Sequence, residues 1–278
     1  MALELPYVKA CAREVGFDLC GVAQYAYFED DKSFLERWIE QGYASSLDYL
    51  KRNIECRADA TRLVEGAKSV IICAVSYKNA ISNGYPTHHD AKVASFACTA
   101  DYHATIKQML FELCSKLKDV DTNFSARCFV DSAPIFEKRY AVEAGLGWIG
   151  RQSLLVTPEY GTFVLLGEIV TTAECDSYDK PYEGVGCGEC RRCVEACPNG
   201  AVKERHIDTS RCISCATVER RASGECDTHG WIFGCDECQI VCPYNLRAPY
   251  YTNPKFAPLF NPMEMTPEEV AEKIKGRR

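Results

Sequence analysis

Between residues 187 and 243 the sequence sets out two cysteine runs with the spacing of iron–sulfur ligands. The first is Cys187-Gly-Glu-Cys190-Arg-Arg-Cys193-Val-Glu-Ala-Cys197-Pro198, and the second is Cys235-Asp-Glu-Cys238-Gln-Ile-Val-Cys242-Pro243. Three thiolates at such intervals wrap one [4Fe–4S] cube, while the cysteine before the proline is turned away and ligates the other cube. Read crosswise, one cluster takes Cys187, Cys190, Cys193 and Cys242. The other takes Cys235, Cys238, Cys197 and one further thiolate. Cys212, Cys215 and Cys226 compete for that last place. Arg211-Cys212-Ile213-Ser214 follows a strand-like His206-Ile207-Asp208, which favours Cys212, with Cys215 next. A zinc ribbon would use two Cys-x2-Cys knuckles, but it has no need of a third cysteine or of the Cys-Pro endings. A disulfide framework fits small exported chains rather than this one.

Seven basic residues, Arg191, Arg192, Lys203, Arg205, Arg211, Arg220 and Arg221, crowd these motifs. They read either as shielding for anionic clusters or as a phosphate-binding face. The net charge of −7 argues against a surface coated for nucleic acid as a whole, although binding depends on local patches. The amino terminus has neither a basic nor an apolar signal region, and no apolar run approaches the roughly 18 residues of a membrane span. Eighteen cysteines without an export signal point to a reducing cytoplasm and to metal.

The chain before the cysteines has to position whatever the clusters reduce. Residues 1–180 predict a mixed unit, residues 181–246 a ferredoxin-like module entered through a linker over 176–186, and residues 247–278 an extension with a last helix. Helices are expected over 5–15, 31–41 (capped by Asp30 or Asp31), 46–53, 102–117 (capped by Asp101) and 135–144. Strands are expected over 17–22, 68–77, 124–130 and 163–171. Helices and strands do not alternate regularly, so the class is α+β. Thr266-Pro267-Glu268-Glu269 reads as a capping box with proline at the first helical position.

Within the first unit, Gly145-Leu-Gly147-Trp-Ile-Gly150 matches a dinucleotide fingerprint in form only, since it follows a helix rather than a strand. Phe129-Val130-Asp131-Ser132-Ala133-Pro134 puts a carboxylate where an apolar strand ends. A carboxylic acid against apolar surface can serve as a proton donor. The same residue could equally cap the next helix. His103 is similarly open between packing and catalysis, and Arg52 and Arg57 between an anionic cofactor and solvent.

On these motifs together the chain resembles the epoxyqueuosine reductases. The resemblance rests on Ala100-Asp101-Tyr102-His103, on the segment around Asp131, on residues 144–155 (AGLGWIGRQSLL), on both cysteine runs and on Arg211-Cys212-Ile213-Ser214. It implies a cobalamin-binding α/β sandwich-like first domain akin to that of reductive dehalogenases, with two [4Fe–4S] clusters behind it. It makes Asp131 the proton donor, sets Arg57, Gln152, Ser153 and Leu155 along the corrinoid with Ser214 near it, and supports Cys212 as the ligand. The implied reaction converts epoxyqueuosine to queuosine in the anticodon stem-loop of a tRNA. The implied partners are that tRNA and an external low-potential donor (flavodoxin, ferredoxin or a reductase), acting on a cytoplasmic monomer. After Cys-Ile-Ser the family continues with an aromatic residue and Leu-Thr, where this chain has Cys215-Ala216-Thr217. Family members often add a helical-repeat domain, so with an end at Arg278 the core is expected to hold the tRNA. The rival classes are a corrinoid reductase of a small molecule, such as a dehalogenase, and a ferredoxin-type electron carrier.

Overall fold

The computed structural model describes residues 2–120, 125–219 and 226–276. In chain order the first unit comprises α1 (Leu5–Val15), β1 (Leu19–Gln24), α2 (Glu29–Glu40), α3 (Ile54–Ala58), β2 (Ser69–Ser76), β3 (Lys92–Val93), α4 (Tyr102–Lys118), β4 (Ala126–Phe129), α5 (Glu137–Glu143), β5 (Trp148–Ile149), β6 (Leu155–Val156) and β7 (Val164–Thr171). The remainder adds α6 (Arg192–Glu195), β8 (Trp231–Phe233), α7 (Glu237–Ile240), α8 (Pro243–Arg247) and α9 (Pro267–Ile274).

Four strands form an antiparallel sheet in the order β1-β2-β7-β4, which fits an α+β class. Strand β2, SVIICAVS, is buried at every position because helices cover both of its faces. On one face Ile71, Cys73 and Ile169 meet Val8 of α1 and Ile106, Leu110 and Leu113 of α4. On the other, Val70, Ile72 and Val170 meet Tyr140 and Ala141 of α5. Glycine permits the close approach on each side. A Cβ at Gly167 would stand 2.5 Å from Ile106, and one at Gly21 would stand 2.1 Å from the Ala144 carbonyl oxygen.

Several expected elements form where the pattern placed them. Helix α1 stops on Gly16 in the left-handed region, Asp101 caps α4 by accepting from the His103 N–H, and Thr266 and Glu269 close both bonds of the capping box. Others shift. Helix α2 begins at Glu29 with Phe28 at the cap, so Asp30 and Asp31 complement the dipole from inside the first turn instead of capping it. The stretch expected as one helix over 46–53 is a short 3₁₀ turn, Asp48–Lys51, cut off from α3 by Asn53 in the left-handed region. Strand β1 begins two residues later than expected, and the Phe124 end of the expected 124–130 strand lies outside the described residues. The segment expected as a linker is tied down. Asp179 accepts from the Val22 N–H and from Lys9, and Asp176 accepts from the Leu5 N–H.

The cysteine module is bonded to the first unit rather than tethered to it. Strand β3 pairs with β8 in parallel. Buried Lys78 donates to the carbonyls of Asn245 and Ala248 at 2.6 Å each. Ser95 donates its N–H and its hydroxyl to one oxygen of Asp236. Buried polar groups paired in this way fix one relative placement, because slippage would strand them without partners.

Candidate cluster and cofactor site

The cysteine spacing becomes a pair of thiol groups through short turns. Cys187 and Cys190 sit in a turn closed by the Cys190 N–H on the Cys187 carbonyl, Cys193 lies on α6, and Cys242 caps α8 with Pro243 at its first position. Burial and the like-charged neighbours Cys187 and Cys242 push the Cys193 thiol up, and burial with Cys187 and Cys190 does the same to Cys242. These four therefore stand together as an outer set.

An inner set gathers Cys235 and Cys238 at α7 with Cys197 and Cys212. Burial pushes the Cys238 thiol well up, with Cys235 and Cys212 adding to the effect, and burial raises Cys212 against Cys197. Cys212 thus faces Cys197 on one side and the Cys235–Cys238 pair on the other. Cys226 receives a hydrogen bond from Asn199 at 3.2 Å and faces Cys197. Cys215, in the π-helical turn Cys215–Glu219, is held up at about 11 by burial. Among the described residues no three His, Cys, Asp or Glu side chains converge on a point that would hold a single metal ion. The donor set is all sulfur and keeps the sequence intervals of cubane ligation, so it fits two [4Fe–4S] clusters.

A cavity of about 380 Å3 opens on the inner set, with Cys197, Cys212, Cys235 and Cys238 on one wall. Tyr102, Gln152, Leu154, Thr162 and Leu165 face them. A cleft of about 150 Å3 shares Tyr102, Leu154, Thr162, Val164 and Leu165 with that cavity and extends to Asp131, Glu137 and Lys138. Asp131 sits at φ +58° just past β4, in a turn where the Ser132 N–H reaches the Val130 carbonyl. A non-glycine residue held in that region marks a constrained backbone. It does not cap α5, whose cap position is Phe136. Its Oδ2 accepts from the Tyr102 hydroxyl at 2.8 Å and lies 3.2 Å from His103 Nε2. His103 stacks on Tyr102, with centroids 4.0 Å apart, and its Nδ1 lies 2.9 Å from Asp101. The Asp131 side chain is 58% exposed rather than pressed against apolar surface, so it is open to an incoming substrate.

Other expected residues divide between two places. Gln152 is 4% exposed on the cavity wall, with Nε2 lacking any hydrogen-bond partner. Ser214 lines the same cavity, and Leu155 lines the cleft. Ser153 lies instead on an outer groove with Lys138, Trp148 and Cys187, and its carbonyl accepts from Lys138. Arg57 is half-buried with its Nε partnerless, and burial lowers its pKa. The orphaned Gln152 donor on an otherwise mostly apolar wall suits a large ligand that carries amide oxygens, so the lining fits the cofactor the resemblance implies. Of the basic residues, Arg191 pairs with Glu204, while Arg220 and Arg221 lie outside the described residues.

Sequence reading passed over Tyr102, Glu137, Lys138 and Glu168. Burial pushes Glu137 up to about 7, with Asp131 adding repulsion, and lowers Lys138. Glu168 left a visible signal as the one charge inside the apolar strand VLLGEIVT.

A double-cluster module closed over a cavity with a proton-bearing far wall defines an iron–sulfur oxidoreductase. The family description "4Fe-4S double cluster binding domain" matches residues 186–245, and "Epoxyqueuosine reductase QueG, DUF1730" matches residues 57–132. An epoxyqueuosine reductase of Cyclobacterium marinum is 38% identical, the match covering 90% of this chain and 82% of that one. The chain belongs to the epoxyqueuosine reductase family. The epoxyqueuosine reductase structure from Bacillus subtilis, described with an aspartate catalytic loop swung out of the active site, matches with TM-score 0.79 and 26% identity over 96% of this chain and 74% of that one. Another, of an epoxyqueuosine reductase with a tRNA-Tyr epoxyqueuosine-modified stem loop, matches with TM-score 0.76 and 25% identity over 95% and 69%. A catabolic reductive dehalogenase, at 17% identity and TM-score 0.53 over 96% and 35%, shares the fold. Family membership sets aside the dehalogenase and electron-carrier readings. No helix among the described residues is long and apolar enough to cross a membrane.

Proposed function

We propose that this chain reduces epoxyqueuosine to queuosine at the wobble position of a tRNA anticodon, using two [4Fe–4S] clusters and a cobalamin. The observation that carries the reading is the cavity: thiols of the inner set form one wall, and its continuation reaches Asp131. Cys187, Cys190, Cys193 and Cys242 hold the outer cluster, and Cys197, Cys212, Cys235 and Cys238 the inner one. Gln152, Ser214 and Leu155 hold the corrin, and the family resemblance adds Arg57 and Ser153, which lie off the cavity lining. Residues 1–180 thus bind cobalamin, 181–246 conduct electrons and 247–278 brace the two. Bound cobalamin supplies the two-electron reduction at carbon, fed through the clusters by an external low-potential donor (flavodoxin, ferredoxin or a reductase). The protein works as a cytoplasmic monomer.

The chain's own residues supply geometry and protons. Asp131 gives a proton to the departing oxygen, because an alkoxide is a poor leaving group. Tyr102 and His103 hold its carboxyl at the mouth of the cleft. A base splayed out of a single-stranded loop reaches such an exposed acid without the loop entering the cavity.

The test is Asp131→Asn in protein reconstituted with both cofactors and assayed on a stem-loop carrying epoxyqueuosine. Turnover is expected to fall by about 10²–10⁴-fold, with iron and cobalamin retained. Full activity in that variant would overturn the assignment of Asp131.

A further inference from the structure

Glu168 stands in the middle of the central sheet, paired across to Ile72 of β2 and Phe129 of β4. It is 0% exposed, and neither carboxyl oxygen has a hydrogen-bond partner. Its register with Ile72 puts it on the face covered by α5, whose first residue is Glu137. Glu137 and Asp131 in turn line one cleft. Three carboxyl groups therefore lead from inside the sheet to the place where the substrate is reduced.

An ionised carboxylate without partners in such a place is strongly disfavoured, so the group stays neutral and keeps its proton. Burial holds Glu168 far above the usual carboxylate range, and Glu137 and Asp131 repel its charge further. The groups facing Glu137 are Asp131, Glu168, Lys138, Arg57 and Tyr102, and those facing Glu168 are Glu137, Asp131 and Cys128. The only cations among them are Lys138 and Arg57, both on the Glu137 side.

Reduction of an epoxide to an alkene breaks both carbon–oxygen bonds and forms the carbon–carbon double bond. It consumes two electrons, delivered through the clusters, and two protons, and it releases one water. Asp131 carries a single proton. We infer that Glu137, with Glu168 behind it, refills Asp131 with the second proton from inside the protein, through water in the cleft that Glu137 and Asp131 both line. The outer route through His103 and Asp101 opens to solvent and is available only while the substrate leaves it uncovered.

This inference rests on the proposed reaction, and its test separates the two. Infrared spectra of the cluster-loaded protein at neutral pH should carry the carbonyl band of a buried protonated acid. That band should vanish in Glu168→Gln, and a second acid band titrating near pH 7 should vanish in Glu137→Gln. Turnover of Glu137→Gln should fall by about 10²-fold and lose its decline through pH 7, with cofactor content unchanged. A wild type with no protonated-acid band at neutral pH overturns the inference. So does Glu137→Gln with wild-type turnover and pH profile, which would leave refilling to His103. If instead the wild type fails to convert the modified stem-loop, the proposed reaction falls, while the infrared arm still reports whether the acids hold their protons.

Discussion

The thiol wall of the cavity and the acid wall of the cleft that continues it are built by opposite means. The thiol wall comes from one stretch, Cys197 to Cys238, in which a Cys-Pro turn and a Cys-x2-Cys pair set three ligands locally, with Cys212 brought in from between them. The acid wall collects Tyr102 from α4, Asp131 from the turn after β4, Glu137 from α5 and Leu155 from β6, elements that only the folded sheet brings together. Electrons cross several ångströms of packed protein, so their wall can be dry and sealed. Protons move along hydrogen bonds, directly or through a water, so theirs must open into the cleft it serves. One wall is fixed by covalent geometry, the other by tertiary packing.

Breaking the thiol wall should give the largest effect. Cys212→Ser is expected to lower bound iron from about eight to about four per chain and to reduce turnover to background, because the inner cluster is lost. Cys226→Ser and Cys215→Ser should keep both iron and activity. Iron analysis of the three variants side by side decides the ligand, and full iron in Cys212→Ser would return the place to a rival thiol. Gln152→Leu should act on the cofactor alone. Losing one hydrogen bond to the corrin weakens cobalamin binding by up to about tenfold, read by titration of the cofactor absorption, with iron unchanged.

The same contrast explains what sequence could disclose. Cluster ligation demands particular residues at particular intervals, so Cys187 to Cys242 announce themselves before any fold is known. The buried strand at 69–76 and the Asp101 cap were legible too, because burial and capping write their own patterns. The acid wall writes almost none. Whether Asp131 capped a helix or faced a cleft depended on a left-handed turn that no local pattern forces, and its Tyr102 partner lies 29 residues away. Glu168 was readable only as a misfit in its strand. The expected helix over 46–53 failed because Ser45 and Asn53, both at positive φ, break the backbone on either side of the short 3₁₀ turn.

The acid wall also carries a cost in stability that the thiol wall does not share. Glu137 titrates at about 7 in the folded chain against an ordinary 4.5, so its neutral form is favoured by folding. Such a group contributes stability that is fully present below about pH 4.5 and is lost as pH rises through 7. A shift of that size corresponds to about 3 kcal/mol. The thermal midpoint of the cluster-loaded protein should fall across this window, and the fall should be shallower in Glu137→Gln. An identical slope in the two proteins would mean that Glu137 ionises freely.

The smallest expected effect sharpens the comparison at the outer cluster. The Trp148 indole N–H donates to the Cys187 sulfur at 3.3 Å, while Tyr182 stacks on the ring at 5.0 Å and Tyr244 meets it edge-on at 4.8 Å. A hydrogen bond to a ligating thiolate withdraws electron density and favours the reduced cluster, which raises its potential. Trp148→Phe keeps an aromatic ring between the tyrosines and removes only that donor. One cluster should then become harder to reduce, with iron content and the other potential unchanged in a spectroscopic redox titration. A shift in the outer cluster alone would show that the indole tunes the cluster that Cys187 ligates. Unchanged potentials would reduce the indole to a packing element, and tuning would then fall to the backbone donors, as where the Ala201 N–H meets the Cys197 sulfur at 3.2 Å.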